Sequence, residues 1–175
     1  MRLFTAIPLP GEIKDKVAGI TRMRLPVAYV NTTNLHITMN FFGELDNDEV
    51  DKVTSLFVVF DPATAPFPIS FEKVAKFRNQ IHLTIHPNLE LEKLHDVLEK
   101  YFRAQGFSFQ DRVYYPHVKL ANMHFDQVMN VERKLENFPN EELSALNFTA
   151  DRVTLYESQL LLHHAKHTAI RELIL

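Results

Sequence analysis

Residues 34–43 read NLHITMNFFG, and this alternating stretch decides the fold class. Successive side chains of a β-strand point to opposite faces of a sheet, so the stretch predicts a strand with two unlike faces. One predicted face is apolar and consists of Leu35, Ile37, Met39 and Phe41. The opposite face carries His36, Thr38, Asn40 and Phe42.

A second stretch, YPHVKLA at residues 115–121, repeats this arrangement later in the chain. Its predicted inward face consists of Val118 and Leu120. Its predicted outward face carries His117, Lys119 and Ala121. Because each half of the chain supplies one histidine strand, the sequence predicts a single site to which both strands contribute.

The composition is that of a folded globular protein. Hydrophobic residues make up 46% of the 175 positions and charged residues 23%, with only 4 glycines, which excludes the disordered and fibrous classes. The net charge of -3 gives no global electrostatic case for binding long duplex nucleic acid. A small anion or the end of a strand is the more compatible ligand.

The sequence also bears on location and redox chemistry. No apolar run reaches the ~20 residues that span a bilayer. The N-terminal MRLFTAIP meets a proline too early for a signal peptide, so we expect a cytoplasmic protein without membrane contact. Because the chain has no cysteine, disulfides, thiol nucleophiles and Cys-ligated zinc are excluded.

Turn residues and hydrophobic periodicity predict a mixture of strands and helices. The predicted strands are residues 2–8, 25–30, 35–42, 69–77, 80–86, 116–123, 145–157 and 167–175. The predicted helices are residues 12–23, 47–60, 90–105 and 127–138. Three prolines interrupt residues 61–68 and mark a boundary between two halves. We therefore expect one α+β domain with two lobes, roughly 1–62 and 63–175, in which antiparallel sheets flanked by helices face a central cleft and terminal strands can cross over.

The paired histidines suit a displacement at phosphorus. One neutral imidazole can accept a proton from the nucleophile while a protonated one donates to the leaving oxygen. The Thr38 hydroxyl can donate to a non-bridging phosphate oxygen, and Lys119 can supply a cation beside His117. A lone strand histidine is more often structural, so this prediction depends on the pair.

These motifs resemble the paired His-x-Thr/Ser motifs of the 2H phosphoesterase superfamily, most closely the LigT-like RNA 2′,3′-cyclic phosphodiesterases of the 2′-5′ RNA ligase family. RLFTAIPLP at residues 2–10 resembles the opening strand of that family, and VTLYES at 153–158 resembles its late strand. The resemblance implies a two-lobed fold of pseudo-twofold symmetry. It also implies metal-independent hydrolysis of a 2′,3′-cyclic phosphate, at RNA ends or on small nucleotides, to a 2′-phosphomonoester, and it allows 2′-5′ RNA ligase activity.

Carried over residue by residue, the resemblance makes His36 and His117 catalytic and gives Thr38 a phosphate-binding role, without deciding which histidine is the base. Lys119 is expected at the same phosphate. Further contacts to the cleft or a base are predicted for Asn40, Phe42, Tyr115 and Asn122, of which the two aromatic side chains could stack on a base. No metal or cofactor is expected, and we expect a monomer.

Two positions depart from the family pattern. Lys119 stands where the second motif has Thr or Ser, and Asn122 stands where close relatives have an arginine. Lys119 either restores the positive charge of the missing arginine or lowers the pKa of His117 and impairs a general acid. The alternative function is therefore a catalytically weakened RNA-end or nucleotide-binding protein of the same fold.

Two other histidine patterns have simpler interpretations. HLT at residues 82–84 is a third His-x-Thr, and we expect it to be structural or at the rim of the cleft. His163, His164 and His167 have a spacing that weakly resembles a zinc site, but a hairpin with surface histidines is favoured.

Overall fold

The computed structural model describes residues 1–22, 24–124, 127–162 and 165–175. Its strands are β1 (Arg2–Pro8), β2 (Ala28–Tyr29), β3 (His36–Glu44), β4 (Phe67–Phe77), β5 (Gln80–Ile85), β6 (His117–Asn122), β7 (Asn147–Ala150), β8 (Arg152–Leu160) and β9 (Ala165–Ile174). Its helices are α1 (Gly11–Thr21), α2 (Asn47–Val59), α3 (Leu89–Ala104), α4 (Val128–Glu136) and α5 (Asn140–Ser144). No helix in the described ranges is long and apolar enough to cross a membrane.

The strands form an antiparallel sheet in the order β7-β4-β5-β6-β3-β1-β8-β9, with β2 paired to β6. The predicted α+β class with antiparallel strands and flanking helices is confirmed. Within the described residues β3 and β6 pair through Ile37 and Val118 alone. The two histidine strands therefore lie at the centre of the sheet, where its two halves meet.

The terminal strands cross over to the first half of the sheet. β8 pairs with β1, and β9 pairs with β8, so neither strand joins the β4-β5-β6 group. The predicted strand at 145–157 is two strands instead, because the chain leaves the β4 edge at Ala150 and begins β8 at Arg152. As a result β7 pairs with β4 in one half of the sheet, and β8 pairs with β1 in the other.

Helix ends follow the local sequence signals. Asp46 accepts a hydrogen bond from the backbone N–H of Glu49, whose carboxylate accepts from the N–H of Asp46, and this capping box begins α2. Gly106 follows α3 with φ of +94°, a left-handed conformation that glycine adopts at little cost. Val97 is 44% exposed and lies outside the buried face of α3. The buried face of that helix consists of Leu91, Leu94, His95, Leu98 and Phe102.

Two irregularities in β3 change the faces that its later residues occupy. The pairing with β1 shifts by one residue between Ala6–Thr38 and Phe4–Phe41, and again before Leu3–Gly43. Each shift is a β-bulge, where an extra residue breaks the alternation of side chains. As a result Phe41, not Phe42, returns to the face that carries His36.

Candidate active site

The His36 ring has a defined tautomer because a neighbour lies at each of its nitrogens. Nδ1 is 2.6 Å from the carbonyl oxygen of Asn34. Since a carbonyl oxygen can only accept, Nδ1 carries the proton of the neutral ring. Nε2 is 3.1 Å from the Thr38 hydroxyl, which therefore donates to it. The ring presents a proton-accepting nitrogen beside a hydroxyl.

Three aromatic side chains enclose His36. The ring centroid lies 4.9 Å from that of Phe4, 6.2 Å from that of Tyr156 and 5.4 Å from that of His167. Burial, together with a smaller contribution from His167, lowers the pKa of His36 to about 3, although the bond to Asn34 opposes the shift. His36 is therefore neutral near pH 7.

The enclosure depends on the crossed-over strands. Tyr156 belongs to β8, where it lies opposite Phe4 of β1. The side-chain amide of Asn34 donates to the carbonyl oxygen of Ala165 at 2.6 Å, which connects the turn before β3 to the first residue of β9. His167 follows two residues later and packs edge-on against both Phe4 and His36.

His117 repeats the arrangement of His36 at the start of β6. Its Nδ1 is 2.8 Å from the carbonyl oxygen of Tyr115, again two residues earlier in the chain, so Nδ1 is the donor. In the described part of the chain Nε2 has no hydrogen-bond partner. Both histidines therefore donate from Nδ1 to a carbonyl two residues earlier, and Nε2 is the nitrogen without a proton in each neutral ring.

The surroundings of His117 differ from those of His36. Its ring stacks face to face on His82, with a centroid distance of 3.8 Å and an angle of 13° between planes. Tyr115 covers a second side at 5.9 Å. Burial lowers the pKa of His117 below its usual value, Arg112 and Lys119 lower it further, and the bond to Tyr115 raises it.

Lys119 lies on β6, two residues after His117. It is opposite His82 in the pairing of β5 with β6. Burial lowers the pKa of His167, and Lys119 lowers it further. Lys119 is half-buried, and this burial lowers its own pKa. The site thus contains a partly desolvated cation near two imidazoles.

Two of the predicted cleft contacts are corrected by the bulges in β3. Phe42 packs edge-on against Phe102, Phe107 and Phe109, on the side of the sheet that faces α3. Asn40 is only 2% exposed, and its backbone N–H donates to Thr5 Oγ1 at 3.1 Å. The prediction that these two side chains share the His36 face is wrong, because the extra residues reverse the alternation. Their contact with substrate stays a prediction.

The other two predicted contacts lie beside the second motif. Tyr115 is 54% exposed next to His117, which is compatible with stacking on a ligand. Asn122 is the exposed last residue of β6 and lies opposite Ala28 and Gln80. Their contact with substrate stays a prediction.

Several residues in contact with the histidines were missed by sequence reasoning. Phe4, Tyr156 and His167 reach His36 only through the pairings of β1, β8 and β9. His82 was assigned a structural or rim position, and it is 3% exposed. The His-x-Thr spacing at residues 82–84 was the available signal, since it predicts a histidine and a threonine on one face of a strand.

The structure places His167 beside His36. His163 and His164 lie outside the described residues, so the predicted hairpin cluster is only partly represented. Among the residues that are described, no three His, Asp or Glu side chains form a group that could hold a metal ion. The expected independence from metal stays a prediction.

Comparison with known proteins identifies the family. The model of the 2′-5′ RNA ligase superfamily matches residues 10–160, which is most of the chain. The chain belongs to this superfamily. Its members that resemble the chain along nearly its whole length include the RNA 2′,3′-cyclic phosphodiesterase of Methanocaldococcus jannaschii, which is 25% identical over 98% of this chain and 99% of the relative. A protein of the same name from Archaeoglobus fulgidus is 25% identical over 85% and 88%.

Solved structures of this superfamily share the fold. Escherichia coli LigT complexed with 3′-AMP has a TM-score of 0.78 and 20% identity, covering 99% of this chain and 97% of that chain. A structure described as a phosphoesterase has the same TM-score with 19% identity, covering 99% and 97%. At this level of identity the similarity establishes the arrangement of strands and helices.

Proposed function

We propose that this protein hydrolyses 2′,3′-cyclic phosphates, at RNA ends or on nucleotides, to 2′-phosphomonoesters. The observation that carries the proposal is the matched pair of histidines at the start of the two central strands. Each donates from Nδ1 to the carbonyl two residues before it. The names of the 25% identical relatives and the 3′-AMP bound to Escherichia coli LigT support the substrate class.

His36 acts as the general base in this proposal. Its low pKa keeps Nε2 unprotonated near pH 7, and a base must be neutral before it can accept a proton. Nε2 removes a proton from water as the water oxygen forms a bond to phosphorus. The Thr38 hydroxyl, which donates to Nε2 in the free protein, then turns to a non-bridging phosphate oxygen.

His117 acts as the general acid. Protonated Nε2 donates to O3′ as the bond between phosphorus and O3′ breaks, which leaves the phosphate on O2′ and a free 3′ hydroxyl. The anionic phosphate favours the protonated ring when substrate binds. Next to it, the ammonium of Lys119 stabilises negative charge on the phosphate oxygens, which supports the compensating role of this residue.

The same bond cleavage accommodates ligase chemistry. If the 5′ hydroxyl of a second RNA attacks phosphorus in place of water, the phosphorus–O3′ bond breaks and a 2′-5′ linkage forms. The alternative of a weakened RNA-end or nucleotide-binding protein keeps the cleft and its cations but transfers protons inefficiently. The lowered pKa of His117 beside Lys119 is the observation that favours this alternative.

The test is incubation of the purified protein with a 2′,3′-cyclic nucleotide in the presence of a chelator, followed by separation of 2′- and 3′-phosphate products. We expect the 2′-phosphate alone, and a loss of about 10²–10⁴-fold in kcat for His36→Ala and for His117→Ala. His86→Ala, an exposed histidine on neither motif, is the matched control. An unchanged rate in either motif variant would contradict the mechanism, and binding without turnover would support the alternative.

A further inference from the structure

His82 is a buried histidine that the proposed mechanism does not use. It is 3% exposed and therefore cannot contact substrate directly. It lies opposite Lys119, while Thr84 lies opposite His117, so all four residues share one face of the β5–β6 pair. A register shift between Ile81 and His82 establishes this alignment. His82 thus becomes the diagonal neighbour of His117, a position from which large rings can touch.

The ring of His82 is held in place on several sides. One face covers His117 at 3.8 Å, and Phe77 stacks on it at 5.6 Å with 24° between planes. Nε2 is 2.9 Å from the side-chain oxygen of Gln80, which accepts a hydrogen bond from it. The plane of His82 is therefore fixed by two rings and one hydrogen bond.

The same contacts favour the neutral form of His82. With Nε2 carrying the proton, Nδ1 is a buried acceptor that has no partner among the described residues. A second proton on Nδ1 would be a buried donor without an acceptor, near Lys119 and against the ring of His117. Burial, His117 and Lys119 together lower the pKa of His82 to about 4.

We propose that His82 is a positioning residue for His117, which it holds by remaining a neutral, flat surface against one face of the catalytic ring. The bond to Tyr115 alone leaves His117 free to tilt about its Nδ1–H direction. The stack removes that freedom and excludes water from one face, so that Nε2 keeps one orientation. A neutral ring also tolerates a positive charge on His117, whereas a second imidazolium at this distance would repel it. This inference rests on the proposed function.

Three variants separate the stack from simple packing. His82→Phe keeps a flat ring and removes both nitrogens, whereas His82→Leu keeps apolar volume and removes the plane. His95→Leu is the matched control, because His95 is also buried and stacks on Tyr114 at 3.8 Å and 9°. We expect a fall of about ten-fold in kcat with little change in KM for His82→Leu, most of the rate retained by His82→Phe, and no fall for His95→Leu.

Ring-nitrogen NMR of labelled histidines gives a readout that does not depend on activity or on a folded variant. In the parent protein His82 should remain neutral while His117 gains its proton, and His117 should keep the Nδ1–H tautomer. Protonation of His82 before His117 would overturn the inference, as would an unchanged kcat in His82→Leu or an equal loss in His82→Phe. If the parent lacks phosphodiesterase activity but the NMR result holds, the proposed function fails and the restraint on His117 remains.

Discussion

The two histidines of the central strands are oriented by the same hydrogen bond from Nδ1, but they have different surroundings. His36 is surrounded by rings from β1, β8 and β9, and burial brings its pKa to about 3. His117 has one stacked histidine, one exposed tyrosine and a neighbouring lysine. The same backbone geometry therefore has two different surroundings, and in the proposed mechanism this difference makes His36 the base and His117 the acid.

This contrast matters because two imidazoles in equivalent surroundings could not act as general base and general acid at the same pH. General acid–base catalysis needs one group without a proton and one group with it at the same pH. Burial lowers the pKa of His36. In the proposed mechanism the anionic phosphate favours the protonated form of His117. This difference between the two histidines can be tested by substitutions near either one.

The largest expected effect of the tests that follow is at Lys119. Lys119→Ala removes the cation beside His117 and should lower kcat/KM by about 10²-fold, because a charge-stabilising donor at the phosphate is lost. Steady-state kinetics on a 2′,3′-cyclic nucleotide measure this change.

Lys119→Arg is the matched control, since it keeps the charge and should retain most of the activity. Lys119→Thr restores the hydroxyl that the family motif has at this position but removes the cation. A rate for Lys119→Thr far above that of the parent would show that lysine impairs His117 and would refute compensation.

A smaller effect is expected from the two aromatic side chains that sequence reasoning treated alike. Tyr115→Ala should raise KM for a cyclic nucleotide by about ten-fold, because stacking on a base contributes ~1–3 kcal/mol. Phe42→Leu should lower the free energy of unfolding by about 0.5–3 kcal/mol and leave kcat/KM unchanged. Kinetics and chemical denaturation of the two variants distinguish cleft from core.

The opposite pattern, with KM affected by Phe42→Leu and not by Tyr115→Ala, would contradict the faces assigned to the strands. It would also remove the reason for expecting the nucleobase of the substrate to stack near His117.

The last expected effect is on stability at acidic pH. The unfolded chain protonates His36 near its ordinary pKa of 6.5, whereas the folded chain resists the proton until about pH 3. Between these values the unfolded state binds more protons, so the free energy of unfolding decreases as the pH falls. Each kcal/mol lost should lower the melting temperature by about 2–4 °C.

Thermal unfolding of the parent, His36→Phe and His117→Phe between pH 7 and pH 4 measures this effect. His36→Phe should show the flattest pH dependence, because it removes the more enclosed imidazole. An identical slope for all three proteins would mean that the environments of the two histidines do not differ in the way described.

Much of the fold could be predicted from local patterns. Alternation identified β3 and β6, and the acidic cap at Asp46 and the glycine at 106 placed the ends of two helices. These signals are local because they depend on the backbone geometry of a few consecutive residues. The positions of the two motif histidines on β3 and β6 were predicted from the same local alternation.

What could not be predicted depends on pairing between distant strands. The bulges in β3 are set by its register with β1, so the alternation that placed Asn40 and Phe42 on the outer face ended two residues after Thr38. His167 reaches His36 because β1, β8 and β9 are neighbours in the sheet, and no spacing of residues in the sequence predicts that order. The errors therefore fall at the contacts between strands that are distant in sequence.

The pairing of Ile37 with Val118 gives this sheet a joint between two otherwise well-connected halves. Each partner is next to one of the two histidines, so the proposed proton acceptor and proton donor are carried by different strands that meet at this pair. In the proposed mechanism, the distance between the two reacting nitrogens therefore depends on how β3 and β6 are held against each other.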